Sequence, residues 1–304
     1  MILVICPNPS VDTYIHFKNF LPGKSNRIIR EQKYPGGKGV HVAFALKELN
    51  EDTVLLAFWG GDNGKWIKEQ CIKTGIECIG PQTEEPNRIC YTFKTEDNFN
   101  ETEILGIGPD INSSAHDKFI YEFRKILPQT EIIVISGSLP PGCPADLYQN
   151  ILDIATGEKI PLFIDCVGEP FRLATRYYCE GIHLNYKEFN ELFSAGDQAN
   201  AAKLLATKSR YAAITDGKKG LYLASNKTLI HAHLYLEKIY SAVGSGDCLL
   251  AGLVASRRRE YSLSEMACLG VACAAAKCVH DELGLIHIKD VLDLLPKVNV
   301  EIIE

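Results

Sequence analysis

The segment Ala242-Val243-Gly244-Ser245-Gly246-Asp247 runs straight into a helical pattern from Cys248 to Ser256. Small residues at the foot of a helix let several backbone N–H groups converge on one anion, and the helix dipole favours negative charge there. Gly244, Ser245 and Gly246 therefore read as a phosphate cradle, with the acid Asp247 at its lip. An ordinary N-terminal helix acid is the alternative reading of Asp247. A second glycine-rich segment, Gly36-Gly37-Lys38-Gly39, opens the helix Val40 to Leu49. Adjacent glycines let the chain approach a ligand closely, and Lys38 adds a point charge; a flexible turn with a solvated lysine fits the same residues. Asn26-Arg27 and Arg88 add guanidinium groups suited to bidentate phosphate binding.

Charge makes the basic residues informative. The 304-residue chain carries 32 Lys and Arg against 38 Asp and Glu, a net charge of −6. That balance argues against broad nucleic-acid or anionic-membrane binding, so an anionic ligand must meet a local basic cluster, for which Arg27, Lys38 and Arg88 are the candidates. With 46% apolar and 23% charged residues, 24 Gly and 14 Pro, the composition is that of a globular chain long enough for a sizeable core. Eleven Cys are spread from Cys6 to Cys278 without a CxxC pair. They read as reduced thiols in a cytoplasmic protein. Cys268, Cys273 and Cys278 drift around a helix and read as small core residues, not metal ligands. The start, MILVICPNPSVD, lacks the basic n-region of a signal peptide, and no apolar run has the length of a membrane span.

The elements that must position these residues alternate. Apolar runs at Ile2 to Ile5, Thr53 to Phe58, Ile132 to Ile135, Pro161 to Ile164 and Tyr211 to Ile214 read as buried strands. Amphipathic helices lie between them; Phe119, Ile120, Phe123, Ile126 and Leu127 form one stripe, and Leu147, Ile151, Leu152 and Ala155 form another. Strand-helix alternation predicts an α/β fold with a doubly wound, mostly parallel sheet covered by helices on both faces. The polar and glycine-rich segments Asn8 to Asp12, Gly60 to Asp62, Ser136 to Pro140, Asn185 to Glu188 and Thr215 to Gly220 follow strands, so they should face one crevice at the carboxyl ends. Two stretches break the alternation, Tyr14 to Tyr34 and Arg88 to Ile107 with a polar turn at Glu96 to Asn100, and read as antiparallel strands of a small lid sheet. Arg257, Arg258 and Arg259 suit a helix C-terminus. A single domain over 1–304, with lid strands at about 13–34 and 88–107, is the expected organisation.

Neither a GxxxxGK[ST] segment nor a GxGxxG after the first strand is present, and HRD and DFG are absent. Taken together, the segments resemble the ribokinase/pfkB family of carbohydrate kinases over essentially the whole chain. Asn8-Pro9-Ser10-Val11-Asp12 resembles the family's substrate loop, whose acid, here Asp12, binds sugar hydroxyls. Gly36-Gly37-Lys38-Gly39 and Gly244-Ser245-Gly246-Asp247 match the two family signatures, the second implying an anion hole with Asp247 as catalytic base. Asn185 and Glu188 match the segment that organises Mg²⁺ and ATP phosphates, largely through water, while Thr215, Gly217 and Gly220 match a turn on the nucleotide side.

Within the family, Lys38, Asn26-Arg27, Arg88 and Ser136-Gly137-Ser138-Leu139-Pro140 are most similar to kinases of phosphorylated ketohexoses. His41 stands where that branch usually has Asn, His183-Leu184 precede Asn185 instead of Lys-Pro, and Cys248 follows the base where Ser or Thr is common. The resemblance implies ATP-dependent phosphorylation of fructose 1-phosphate, with tagatose 6-phosphate as the alternative acceptor. A kinase of a neutral sugar or nucleoside, or a silent sugar-phosphate sensor, ranks below these. Asp12 and His41 would orient the sugar, and Arg27, Lys38 and Arg88 would hold the phosphate already on it, with Ser136 and Gly137 alongside. A lid sheet carrying Ile15, Phe17, Tyr91 and Phe93 cannot bury both faces against one domain, so a lid-to-lid homodimer is expected.

Overall fold

The computed structural model describes residues 1–96, 101–144, 146–193 and 196–303. Its main sheet has ten strands, in spatial order Asn299–Ile302, Thr228–His233, Leu221–Ser225, Ser209–Thr215, Cys179–Asn185, Leu162–Asp165, Ile132–Ser136, Ile2–Ile5, Thr53–Leu56 and Glu77–Ile79. The seven strands from Ser209–Thr215 to Glu77–Ile79 pair in parallel. The other edge is an antiparallel extension.

Both faces are covered, which is why the central strands read as unbroken apolar runs. Along the first strand, Ile2 and Val4 join one core with the helices Lys38–Glu48, Ser245–Arg258 and Leu263–Cys278. Leu3 and Ile5 join the other, with Phe119 and Phe123 of the helix Ser113–Ile126 and with Leu147, Ile151 and Leu152 of Leu147–Gly157. The first of these two helices starts where Asn112 Oδ1 accepts a hydrogen bond from the Ala115 amide at 2.9 Å. This is the expected doubly wound α/β architecture.

The run Arg257, Arg258, Arg259 closes the helix Ser245–Arg258 and meets Glu180, Glu51 and Glu131, so it is a satisfied helix end. All eleven cysteines are free thiols and none is exposed; Cys273 is buried, while Cys268 and Cys278 are half-buried. No helix among the described residues is long and apolar enough to cross a membrane.

The lid sheet has four strands in the order Ile28–Gly36, Ser10–Phe17, Arg88–Thr95, Thr102–Ile104. Two of its pairings are antiparallel, but the central one is parallel, which corrects the expected all-antiparallel lid. Ser10–Phe17 and Arg88–Thr95 run side by side in the same direction, with Ser10 opposite Arg88. Of the anticipated polar turn Glu96 to Asn100, residues 97–100 lie outside the described residues.

The exposed apolar face also differs from expectation. Ile15, Phe17 and Phe93 are buried, because Phe20 folds back over them with its ring 5.7 Å from Phe17 and 4.9 Å from Phe93. Tyr91 stays exposed, joined by Ile28, Ile29, Ile104, Leu105 and Ile107.

Candidate active site

The cradle segment forms a tight turn into the helix Ser245–Arg258. Gly244 takes φ +83, and a Cβ there would meet Gly284 Cα at 2.6 Å, so only glycine fits. The Ser245 amide spends its hydrogen bond on Ala242 O at 3.1 Å. The helix's open N-terminus is thus offered chiefly by the amides of Gly246 and Asp247, since first-turn N–H groups have no intrahelical partner.

Asp247 is buried, and its Oδ2 lies 2.8 Å from His41 Nδ1. Burial raises the Asp247 pKa; the His41 hydrogen bond and charge pull it back without cancelling the effect. His41 sits in the first turn of Lys38–Glu48, and its Nε2 is 3.2 Å from Asp12 Oδ2, close enough for ion pairing but out of line for a hydrogen bond. Burial alone would depress the imidazole pKa; the two carboxylates outweigh it and lift the value to about 9.

Asp12 is held in turn. Ser10 Oγ donates to its Oδ1 at 2.6 Å, and Gly36 is required because a Cβ there would come within 2.0 Å of the carboxylate carbon. Burial works against its charge, but His41, Ser10 and Arg88 together hold its pKa below the ordinary value. Arg88 joins this end of the site: Nη1 donates to Gly106 O at 3.3 Å, while buried Nε has no hydrogen-bond partner among the described residues.

Lys38 faces elsewhere. Its Nζ donates to Asp165 Oδ1 at 2.9 Å and Glu188 Oε1 at 3.1 Å, and the charge of Asp247 also acts on it. Burial opposes the ammonium, but these carboxylates raise its pKa. Asp165 is fully buried at the end of Leu162–Asp165, beside Ser136 in register. Ser136 Oγ is buried and unpartnered among the described residues, and the Gly137 amide donates to Asp165 O at 3.0 Å.

Asn185 and Glu188 form a capping box on the helix Tyr186–Leu192, each side chain accepting the other's backbone N–H at 2.8 and 3.0 Å. Thr215 pairs with Asn185 across adjacent strands, and its Oγ1 lies 3.1 Å from His183 Nε2. The same ring would touch a Cβ on Gly246 at 3.1 Å. Gly217–Lys219 is a single 3₁₀ turn closed by Gly220.

The lid strand Ser10–Phe17 and the helices Lys38–Glu48 and Ser245–Arg258 thus bring Asp12, His41 and Asp247 to one point, with Lys38, Asp165 and Glu188 beside it. Arg27 is not brought to this crevice. It lies exposed just before Ile28, at the far end of the lid hairpin from Ser10 and Gly36, because a two-stranded ribbon separates its turn from its base. Sequence reasoning missed Asp165, Gly284 and Glu101. An acid ending an apolar strand was a readable signal for Asp165. Glu101 joins lid to cradle by accepting from Tyr14 Oη at 2.7 Å and the Ala242 amide at 3.2 Å, which no local pattern announces. Another group of metal-type side chains, His280, Glu282 and His287, is paired internally and with Asp290.

Open amides at a helix N-terminus, a buried carboxylate among them and cations nearby suit transfer of an anionic group to a hydroxyl. The sequence pattern of the pfkB family carbohydrate kinases matches residues 8–285. The chain belongs to the pfkB family of carbohydrate kinases. It is a phosphotransferase with an alcohol group as acceptor, a sugar-phosphate kinase of a family that uses ATP. Among pfkB relatives, the 1-phosphofructokinase of Bacillus subtilis is 31% identical, the match covering 99% of both chains. A tagatose-6-phosphate kinase of Staphylococcus epidermidis is 28% identical with 100% of both covered. The Escherichia coli phosphofructokinase-2 structure in complex with fructose-6-phosphate superimposes with a TM-score of 0.87 at 21% identity, covering 97% of this chain and 98% of that one, a likeness of fold.

Proposed function

We propose that this pfkB kinase transfers the γ-phosphoryl group of ATP to the free primary hydroxyl of fructose 1-phosphate, giving fructose 1,6-bisphosphate. The observation that carries the reading is the Asp12–His41–Asp247 cluster with Arg88 beside it: hydroxyl-binding and proton-accepting groups next to a cation with an unused donor. Asp247 accepts the proton of the attacking hydroxyl, and Gly244, Ser245 and Gly246 shape the turn whose amides take up the negative charge. Asp12 and His41 orient the sugar. Arg88 holds the phosphate that stays on the substrate, while Ser136, with its hydroxyl unpartnered among the described residues, and Gly137 border the substrate on the Lys38 side, next to Asp165.

Lys38, between Asp165, Glu188 and the charge of Asp247, belongs with the transferred phosphoryl group instead of the retained phosphate. Thr215, Gly217 and Gly220 line the nucleotide side. Asn185 and Glu188 fit Mg²⁺, since they supply hard oxygen atoms and the ion is commonly held by one or two carboxylates, waters and substrate phosphates. When bound, Mg²⁺ supplies charge neutralisation between the ATP phosphates.

The lid closes over the sugar to exclude water as a competing acceptor. Its exposed Ile28, Ile29, Ile104 and Leu105 support a homodimer formed lid to lid. Eleven unpaired thiols suit the cytoplasm. The Staphylococcus epidermidis relative favours tagatose 6-phosphate as the second reading. ADP release measured over a panel of sugar phosphates tests the proposal: turnover on fructose 1-phosphate supports it, and absence of turnover on every member is the result expected of a silent sensor.

A further inference from the structure

We propose that Lys277 is a positioning residue whose sealed ammonium ties the anion-binding turn to the chain segment behind it and so sets the direction of the turn's amides. The proposal rests on the kinase reading of that turn. Lys277 lies near the end of the helix Leu263–Cys278 and is fully buried. Its Nζ donates to two backbone carbonyls, Ser241 O at 3.1 Å and His280 O at 3.4 Å. Burial is the largest influence on the amine and lowers its pKa; nearby thiols and the charges of Glu101 and Asp281 act the other way. A buried ammonium is costly beside a methionine of similar volume. What it gains here is a grip on two loops.

Those loops set the site. Ser241 directly precedes Ala242, whose carbonyl accepts the Ser245 amide at the foot of the catalytic helix. Tyr240 donates to Cys278 O at 2.8 Å, a second tie between the same two stretches. Beyond His280 the chain reaches Gly284, which packs against both Gly244 and His41: a Cβ on Gly284 would fall 1.9 Å from His41 Cδ2. One ammonium therefore joins the segment that forms the amide turn to the segment that backs Gly244 and the imidazole paired with Asp247. Small misplacements of such groups are enough to cost about 10²-fold in rate.

The test compares wild type with Lys277→Met and Lys277→Ala by ADP formation on the preferred sugar phosphate. The proposal expects kcat to fall about 10²-fold with the sugar KM nearly unchanged. Ammonium chloride should restore part of the lost kcat in Lys277→Ala, because a free ammonium ion can donate to the same carbonyls, whereas sodium chloride at equal ionic strength should not. Wild-type kcat in Lys277→Met, or a folded Lys277→Ala that ammonium leaves unchanged, overturns it. If neither variant folds, Lys277→Leu, which likewise has no donor, takes their place: reduced kcat with unchanged KM supports the proposal and wild-type kcat overturns it. Hydrogen exchange at Ala242 to Gly246 reads the same tie without turnover. Faster exchange in the variants supports the proposal even if no tested sugar phosphate is a substrate, and unchanged protection overturns it.

Discussion

His41 Nδ1 lies 2.8 Å from Asp247 Oδ2, and on its other side the ring reaches Asp12 at 3.2 Å, so one buried imidazole spans the proposed proton acceptor and the proposed sugar-binding acid. A cation between two carboxylates stabilises both as anions, and removing it leaves the two buried groups to repel each other.

That arrangement gives a pH prediction. The His41 pKa is raised from 6.5 to about 9 in the fold, so folding favours the protonated ring. Its stabilisation is complete below the unfolded value near 6.5 and is lost as the pH rises through 9. Thermal unfolding of wild type should therefore show Tm falling between these limits, and His41→Asn should show a flatter dependence with a lower Tm at pH 6. Equal slopes in the two proteins would remove His41 from the linkage.

Asp247→Asn keeps the amide turn and removes the proposed base. Turnover should fall by at least about 10²-fold, while ATP binding by calorimetry persists. Turnover near wild type would exclude Asp247 as the proton acceptor.

Lys38→Met should lower both activity and stability, because it strands Asp165, a fully buried carboxylate, without its ammonium partner. Breaking a buried pair costs about 3–5 kcal/mol; with the Lys38 side chain 35% exposed, screening reduces the expectation to about 2 kcal/mol. Adding Asp165→Asn should recover much of the stability in denaturant unfolding but none of the activity. Recovery of activity in the double variant would show that Lys38 serves the fold alone.

The glycine-rich turns and the acid at the helix foot were legible because their chemistry is local: a helix N-terminus needs only a few consecutive residues. The parallel sheet was legible for a similar reason, since burial on both faces writes itself as runs such as Ile2 to Ile5. The strand Cys179–Asn185 was hidden by Glu180, Gly181 and His183, and the antiparallel edge at Leu221–Ser225 and Thr228–His233 by short mixed runs. Partners of the cations were not legible. Lys38 and Arg27 look alike in sequence, yet packing turns one toward Asp165 and leaves the other at a hairpin tip. The Phe20 fold-back likewise buried Ile15, Phe17 and Phe93 while leaving Tyr91 exposed, because a loop aromatic gives no sign of the sheet face it covers.

Lid-to-lid pairing would cover Ile28, Ile29, Ile104 and Leu105. Sedimentation at micromolar protein should show a dimer in wild type and a shift toward monomer in Ile29→Glu with Leu105→Glu. A wild-type monomer with and without ligands would contradict the pairing.

The most direct measurement compares kcat/KM for fructose 1-phosphate, tagatose 6-phosphate, fructose 6-phosphate and free fructose, in wild type and in Arg88→Ala. The account predicts that fructose 1-phosphate is used best, that free fructose is used poorly, and that Arg88→Ala lowers the phosphorylated sugars by about 10-fold or more, a lost charge-assisted contact of about 1.5–3 kcal/mol, while sparing free fructose. If free fructose matches the phosphorylated sugars, or Arg88→Ala weakens all four equally, the retained phosphate is not what this site recognises.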